Sequence, residues 1–407
     1  MRYLIAVSLF FLTVLQSLAQ TPIGLILPDN ESKVTLEFKL VNNLIVIPIT
    51  INNRVTLKFI LDTGANSPIL TERLFGDIMG LKYDRTIFIS GPGIIDSIGA
   101  YVASNIRLSM PNGIHGRHMS MLVLEEDYIE LKKNLGEDIF GIIGYDVFSR
   151  FVVEINYDQL EVTFHKPDTF KPRRRLRVID MPVEGTKPYI NAVIKNKEAV
   201  DTIRLMIDTG ASHTLLLDIA MSENLDYPDT VINTTLGHGL GGAIPGSIGR
   251  FDQLSLAEFT LDDILVSIPN PGVYSNAIKR GSRNGTIGGN TLTRFNPIMD
   301  YQNEKLYLEK SINYKYPINY DMSGMSLSYL ENPNRLEVAH ILPDSPAAET
   351  DLRVGDVIHS INGNTLNNST LSKIYGLLRS KEKKKINVIV LRNNEKVEYN
   401  FRLRKLI

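Results

Sequence analysis

The sequence predicts a mainly β protein in which two related lobes are followed by a smaller unit of mixed α and β structure. Three observations lead there: short β-rich runs bounded by polar turns, a long internal repeat, and a change of rhythm after residue 310. A chain of 407 residues exceeds what one core accommodates, so two or three domains are expected. The division reads 1–19, 20–170, 171–310 and 311–407.

The first segment opens with Met1-Arg2-Tyr3, continues through the apolar run Leu4 to Leu15, and ends with the small residues Ser17 and Ala19. A positive start, a hydrophobic stretch and small residues before a cut describe a secretory signal peptide cleaved near Ala19. The other reading is an uncleaved anchor, for which the run is short. The expected mature protein is exported, to the periplasm or the extracellular space, and has no membrane span. Cysteine is absent, which excludes disulfide scaffolds, thiol catalysis and cysteine-ligated metal, and suits an oxidising compartment. A net charge of -1 argues against a nucleic-acid binder.

The second and third segments are copies of each other. In the first, Leu44 to Ile51 and Val55 to Leu61 flank a turn at Asn52-Asn53 and lead into Asp62-Thr63-Gly64-Ala65, then Ile69-Leu70. In the second, Tyr189 to Asn196 and Ile203 to Ile207 flank a turn near Asn196-Lys197 and lead into Asp208-Thr209-Gly210-Ala211, then Leu215 to Leu217. Paired β-rich runs around a polar turn are hairpin signatures. The repeat continues from Ile142-Ile143-Gly144 to Phe151 and from Thr286-Ile287-Gly288 to Phe295, followed by hairpins over 152–164 and 298–308. Between the copies, Lys166 to Arg177 holds Pro172 and the basic run Arg173-Arg174-Arg175. This is a solvated linker or, alternatively, an anion site.

An aspartate at the end of a hydrophobic strand, followed by threonine and glycine, is a carboxylate presented from a tight turn. Two such turns in related lobes suggest that the carboxylates meet across a pseudo-twofold axis. Carboxylates about 3 Å apart cannot both ionise comfortably and share one proton. One can then act as base on a water while the other donates to a carbonyl, which hydrolyses an amide without metal, cofactor or thiol.

These paired motifs, with the later glycines, resemble bacterial retropepsin-like aspartic proteases that carry both lobes in one chain. The resemblance spans roughly residues 35 to 310. It implies the two-lobed acid-protease β-barrel fold, with Asp62 and Asp208 as the catalytic pair. It also implies that Thr63 and Thr209 bond across the lobe interface, that Gly64 and Gly210 form the turn backbone, and that the later glycine motifs pack behind the turns. Polypeptides would be the substrates, and a monomer suffices because both aspartates lie in one chain. The alternative is a retained fold without catalysis, a silent peptide-binding protein. The pepsin-like branch commonly places a hydroxyl residue after Asp-Thr-Gly. Here Ala65 and Ala211 stand there, so the shared proton should be harder to remove and the optimum less acidic.

Each copy also has a glycine-rich candidate flap. The first runs from Ser90 to Gly99 with Gly91 and Gly93, the second from Gly237 to Gly249 with Gly239 and Gly241. Gly237, Gly239 and Gly242 satisfy a G-x-G-x-x-G pattern, but Pro245 breaks the helix a dinucleotide site would need, so a water-excluding flap is the better account. His213 and His238 lie near the second aspartate and flap, either as pH-tuning groups or as ordinary loop residues. His115 and His118 have ligand-like spacing in a loop, and no metal is assigned there.

The last segment has other signals: Leu336 to Ile341 as a strand, a Ser345-Pro346 start to a short helix, and a turn at Gly355-Asp356. A strand follows to Ile361, then Asn362-Gly363, a helix over 370–379, and a final strand over 397–403. This order resembles a PDZ domain. The resemblance implies capture of an extended peptide as an added strand, with Gly324, Met325, Ser326 and Leu327 in the place of the carboxylate loop. Substrate delivery, partner docking and a spacer role all remain readings of that unit.

Overall fold

A computed structural model describes residues 24–95, 97–222, 224–273, 282–330, 335–365 and 370–407. The expected signal peptide lies outside the described residues. The chain is mainly β, as expected, and no described helix is long and apolar enough to cross a membrane.

Alternation drives the first lobe. In strand Leu44–Ile51 the residues Ile45, Ile47, Ile49 and Ile51 are fully buried, one face of an extended run turned to the core. Asn52 and Asn53 turn the chain with φ of 50° and 55°, a conformation asparagine tolerates well. Strand Val55–Leu61 returns antiparallel and ends directly at Asp62. Strand Gly141–Ile143 then runs parallel to it, setting Ile143 level with Leu61, and antiparallel to Ile69–Leu70. The second lobe repeats this arrangement. Strand Lys187–Asn196 pairs with Ala199–Ile207, and Gly285–Ile287 lies parallel with Ile287 level with Ile207, and antiparallel to Leu215–Leu217. Each aspartate therefore leaves a central strand whose two sides are both occupied by neighbours.

A six-stranded sheet joins the lobes, because strand Val152–Asn156 of the first copy pairs with Ile298–Asp300 of the second. The core is continuous across this joint: Phe148, Ile155 and Phe164 share one cluster with Ile207, Phe295 and Met299. Two arginines of the basic run between the copies are paired beside this sheet, Arg173 with Glu154 at 3.0 Å and Arg175 with Glu309 at 3.0 Å.

Five strands from Met325–Leu330 to Glu395–Arg402 form the last sheet, with helix Leu371–Leu378 packed on it through Leu371, Ile374 and Leu378. Thr370 caps that helix from its hydroxyl. One expected element is absent: residues 345–350 form turns rather than a helix. One helical bond forms, from the Glu349 amide to the Ser345 carbonyl at 3.1 Å, but the Ala347 carbonyl that a following bond would need is taken by the Thr350 amide at 3.1 Å and the Thr350 hydroxyl at 2.7 Å, so the turn does not propagate. The unit is tied to the second lobe, since Arg250 donates to the carbonyls of Ile318 and Ile407. Upstream of it, Tyr314 reaches Thr260, so residues near 311–316 pack on the second lobe.

Candidate active site

The two Asp-Thr-Gly turns meet at the lobe interface. The Thr63 amide donates to the Thr209 hydroxyl at 3.0 Å and the Thr209 amide to the Thr63 hydroxyl at 3.0 Å. Each hydroxyl in turn donates across to a carbonyl, Thr63 to Ile207 at 2.8 Å and Thr209 to Leu61 at 2.7 Å. Both threonines are fully buried, so four polar groups that would otherwise be stranded are satisfied reciprocally.

This grip brings the carboxylates together. Asp62 and Asp208 both reach the space beside Gly64, and their charges act on each other there. The glycines make that approach sterically possible. A Cβ on Gly210 would sit 2.2 Å from the Asp62 carboxyl carbon, and one on Gly64 would sit 3.2 Å from both Asp208 oxygens. Each glycine also donates its amide to the aspartate of its own turn, Gly64 at 2.5 Å and Gly210 at 3.0 Å. Burial, and next the facing charge of Asp208, hold the Asp62 carboxyl well above the ordinary carboxylate range. The proton belongs to the pair.

The later glycine motifs sit behind the turns. The Asp62 amide donates to the Ile143 carbonyl at 2.8 Å and the Asp208 amide to Ile287 at 3.0 Å. A Cβ on Gly144 would lie 2.0 Å from the Asp62 carbonyl oxygen, and one on Gly288 would lie 2.9 Å from the Ala211 carbonyl oxygen, so each turn rests on bare backbone.

The candidate flaps are hairpins in both lobes, Tyr83–Ile89 with Ile98–Ser109 and Ile232–Gly239 with Gly242–Leu256. Their tips are joined. The Ile95 amide donates to the Gly241 carbonyl at 2.9 Å, the Gly241 amide to the Pro92 carbonyl at 2.8 Å, and Gly93 bridges Gly241. A Cβ on Gly91 would touch Leu240 at 2.8 Å, and one on Gly239 would lie 2.4 Å from the Pro92 carbonyl. Leu240 packs against a first-lobe cluster containing Ala65, Ile69 and Ile98, which brings the second-lobe tip beside the first active-site turn.

Of the histidines, His213 has its ring nitrogen 3.2 Å from the Thr286 carbonyl, and burial lowers its proton affinity while Asp208 opposes that. His238 lies 3.8 Å from Glu130 of the first lobe. His115 and His118 are engaged separately, by the Gly113 carbonyl and the Asn105 side chain, and do not converge.

Three site residues escape sequence reasoning. Lys187 donates to the Gly64 carbonyl and faces both aspartates, although the repeat is recognisable only from Tyr189 onward. Tyr301 is buried within the electrostatic reach of the pair, and burial and then the two carboxylates push its phenol well above the usual range. The third is Tyr375. In the last unit, Gly324 has a φ of 74°, and Met325, Ser326 and Leu327 open an edge strand. The Tyr375 hydroxyl bonds the Leu327 amide at 2.9 Å and its carbonyl at 3.1 Å, so it occupies backbone groups an added strand would use. Helix Leu131–Leu135 of the first lobe packs beside that edge strand, and Gly136 abuts Leu371.

No curated protein matches the chain. Residues 190–291 match the family model described as aspartyl protease, and they contain Asp208 and the flap and glycine motif of the second lobe. The matching family model for residues 337–392 is that of the PDZ domain, so the chain carries an aspartyl protease domain and, C-terminal to it, a PDZ domain.

Proposed function

We propose that this protein is an exported aspartic endopeptidase whose catalytic pair is Asp62 and Asp208. The observation that carries the reading is the crosswise bonding of the buried Thr63 and Thr209, which brings two partly buried carboxylates toward each other. In the monoprotonated pair, the ionised carboxylate takes a proton from a water as its oxygen bonds to the scissile carbonyl carbon. The protonated carboxyl donates to the carbonyl oxygen, giving a tetrahedral diol. When the carbon–nitrogen bond breaks, the protonated carboxyl gives its proton to the leaving nitrogen while the other carboxylate takes one from a diol hydroxyl, so the pair again holds a single proton.

A polypeptide enters by parting the joined flap tips, and their reclosure excludes bulk water during the reaction. The PDZ domain captures an extended peptide from a substrate or partner, for which Tyr375 must yield the Leu327 backbone. Export follows from the signal-like residues 1–19, and N-terminal sequencing of secreted protein should start near Gln20.

The test incubates mature protein with an unfolded polypeptide from about pH 3 to about pH 8, beside Asp62→Asn and Asp208→Asn. Wild type should cut and both variants should not. A wild type that cuts nothing, or variants that cut as well, would reject the reading in favour of peptide binding alone.

A further inference from the structure

Around the aspartates the strands of the two lobes share one register, and at one equivalent position an apolar residue of the first lobe is a lysine in the second. In the first lobe Val46 pairs with Ile60, two residues before Asp62, and in the second Tyr189 pairs with Met206, two before Asp208. Stepping back along the strands from those pairs sets Asn43 level with Thr186 and Leu44 level with Lys187. The contacts agree with this register. Asn43 donates from its amide to the Ser212 carbonyl at 3.2 Å, and the Thr186 hydroxyl donates to Asn66. Asn66 and Ser212 hold the same place after each Asp-Thr-Gly-Ala.

At the next residue the symmetry ends. Leu44 is an apolar side chain buried in the first lobe, whereas Lys187 sends its ammonium to the Gly64 carbonyl, beside the carboxylates. Burial lowers its proton affinity below that of an ordinary lysine, Asp62 and Asp208 act against that lowering, and the Arg283 guanidinium adds to it. The other groups facing the pair are the Tyr301 hydroxyl, with Tyr145 behind it, and the His213 ring toward Asp208. Lys187 is the cation that acts on Asp62 directly.

We propose that Lys187 is a positioning residue of the dyad, tying the first active-site turn through the Gly64 carbonyl and placing a cation beside the two carboxylates. The proposal rests on the aspartic-protease reading and adds an asymmetric charge to it. Two carboxylates with one proton carry a net negative charge, and the ammonium brings the group to neutrality. A cation favours the ionised form of neighbouring acids, so the pair releases its shared proton at lower pH than a bare pair would. This works against the rise that burial and the facing charge of Asp208 produce in Asp62.

The test compares wild type, Lys187→Leu and Lys187→Arg. Leucine is the residue the first lobe already holds at this register, and arginine keeps the charge. In Lys187→Leu the alkaline limb of the kcat/KM profile should move up by about one pH unit or more, and activity on the acid side should fall severalfold. Lys187→Arg should return the limb toward its wild-type position. A folded Lys187→Leu with an unmoved profile overturns the proposal. If it does not fold, Lys187→Gln, which keeps a donor for Gly64 without the charge, carries the same comparison. A second readout needs no turnover: the carboxyl carbon-13 shifts of Asp62 and Asp208 followed against pH in the intact chain. Their titrations should rise together in the uncharged variant, and unmoved titrations overturn the proposal. Should wild type cleave nothing, the protease reading falls while the carbon-13 titration still decides the role of Lys187.

Discussion

Thr63 and Thr209 hold each other: each amide donates to the other's hydroxyl at 3.0 Å, across the interface between the lobes. Because both lie buried, Thr209→Val strands the Thr63 amide and the Leu61 carbonyl together. The expected loss is about 1–3 kcal/mol in denaturant unfolding. On the aspartic-protease reading, cleavage should fall more steeply than stability, since the same change loosens the carboxylate spacing. Equal activity in a folded Thr209→Val would detach the grip from catalysis.

The raised proton affinity of Asp62 makes stability depend on pH in a known direction. A carboxyl whose folded value lies above its unfolded value favours the folded state most at low pH, and that contribution disappears as pH rises from the unfolded toward the folded value. Asp62→Asn carries no charge and escapes the penalty. Its melting temperature should therefore gain on wild type as pH rises from about 4 toward neutrality, even as cleavage is lost. A constant gap would show that the Asp62 carboxyl is not perturbed.

Gly144→Ala places a methyl group 2.0 Å from the Asp62 carbonyl oxygen and 2.6 Å from that of Ala65. Both neighbours are backbone and cannot rotate away. The turn must shift, at about 1–3 kcal/mol in stability. A drop in kcat with little change in KM would mark displacement of the carboxylate rather than of the substrate site.

At the flap tips, Gly93 has a φ of 135°, and a Cβ there would lie 2.2 Å from the Gly241 carbonyl carbon. Gly93→Ala should part the tips. The Ile95 amide, bonded to Gly241 in the joined state, should exchange with solvent about tenfold faster. Unchanged exchange would mean that the tips meet without that contact.

In the PDZ domain, Tyr375→Phe removes the hydroxyl that covers the Leu327 amide and carbonyl. Exchange at Leu327 should quicken. Affinity for an added strand, read by titrating a library of C-terminal peptides, should rise severalfold, equivalent to about 1 kcal/mol. Weaker binding would show instead that Tyr375 supports the groove.

Much of this was legible because it is written locally. Doubled Asp-Thr-Gly, the hydrophobic runs before each aspartate and the turns at Asn52-Asn53 and Asn362-Gly363 depend on near neighbours, and the structure forms them as expected. The helix expected at Ser345 did not form, because Thr350 takes the Ala347 carbonyl through both its amide and its hydroxyl and ends the turn there.

Strand alternation and turn chemistry act over a few residues, so the mainly β class, the repeat, the aspartate turns and the strands and second helix of the PDZ domain could be read from the chain alone. Only the tertiary structure decided that Lys187 stands beside the carboxylates where Leu44 stands in the other lobe, that the flap tips join at Gly93 and Gly241, and that Tyr375 covers Leu327. Those contacts join residues far apart in the chain, and their partners follow from register and lobe packing, which no short run of residues encodes.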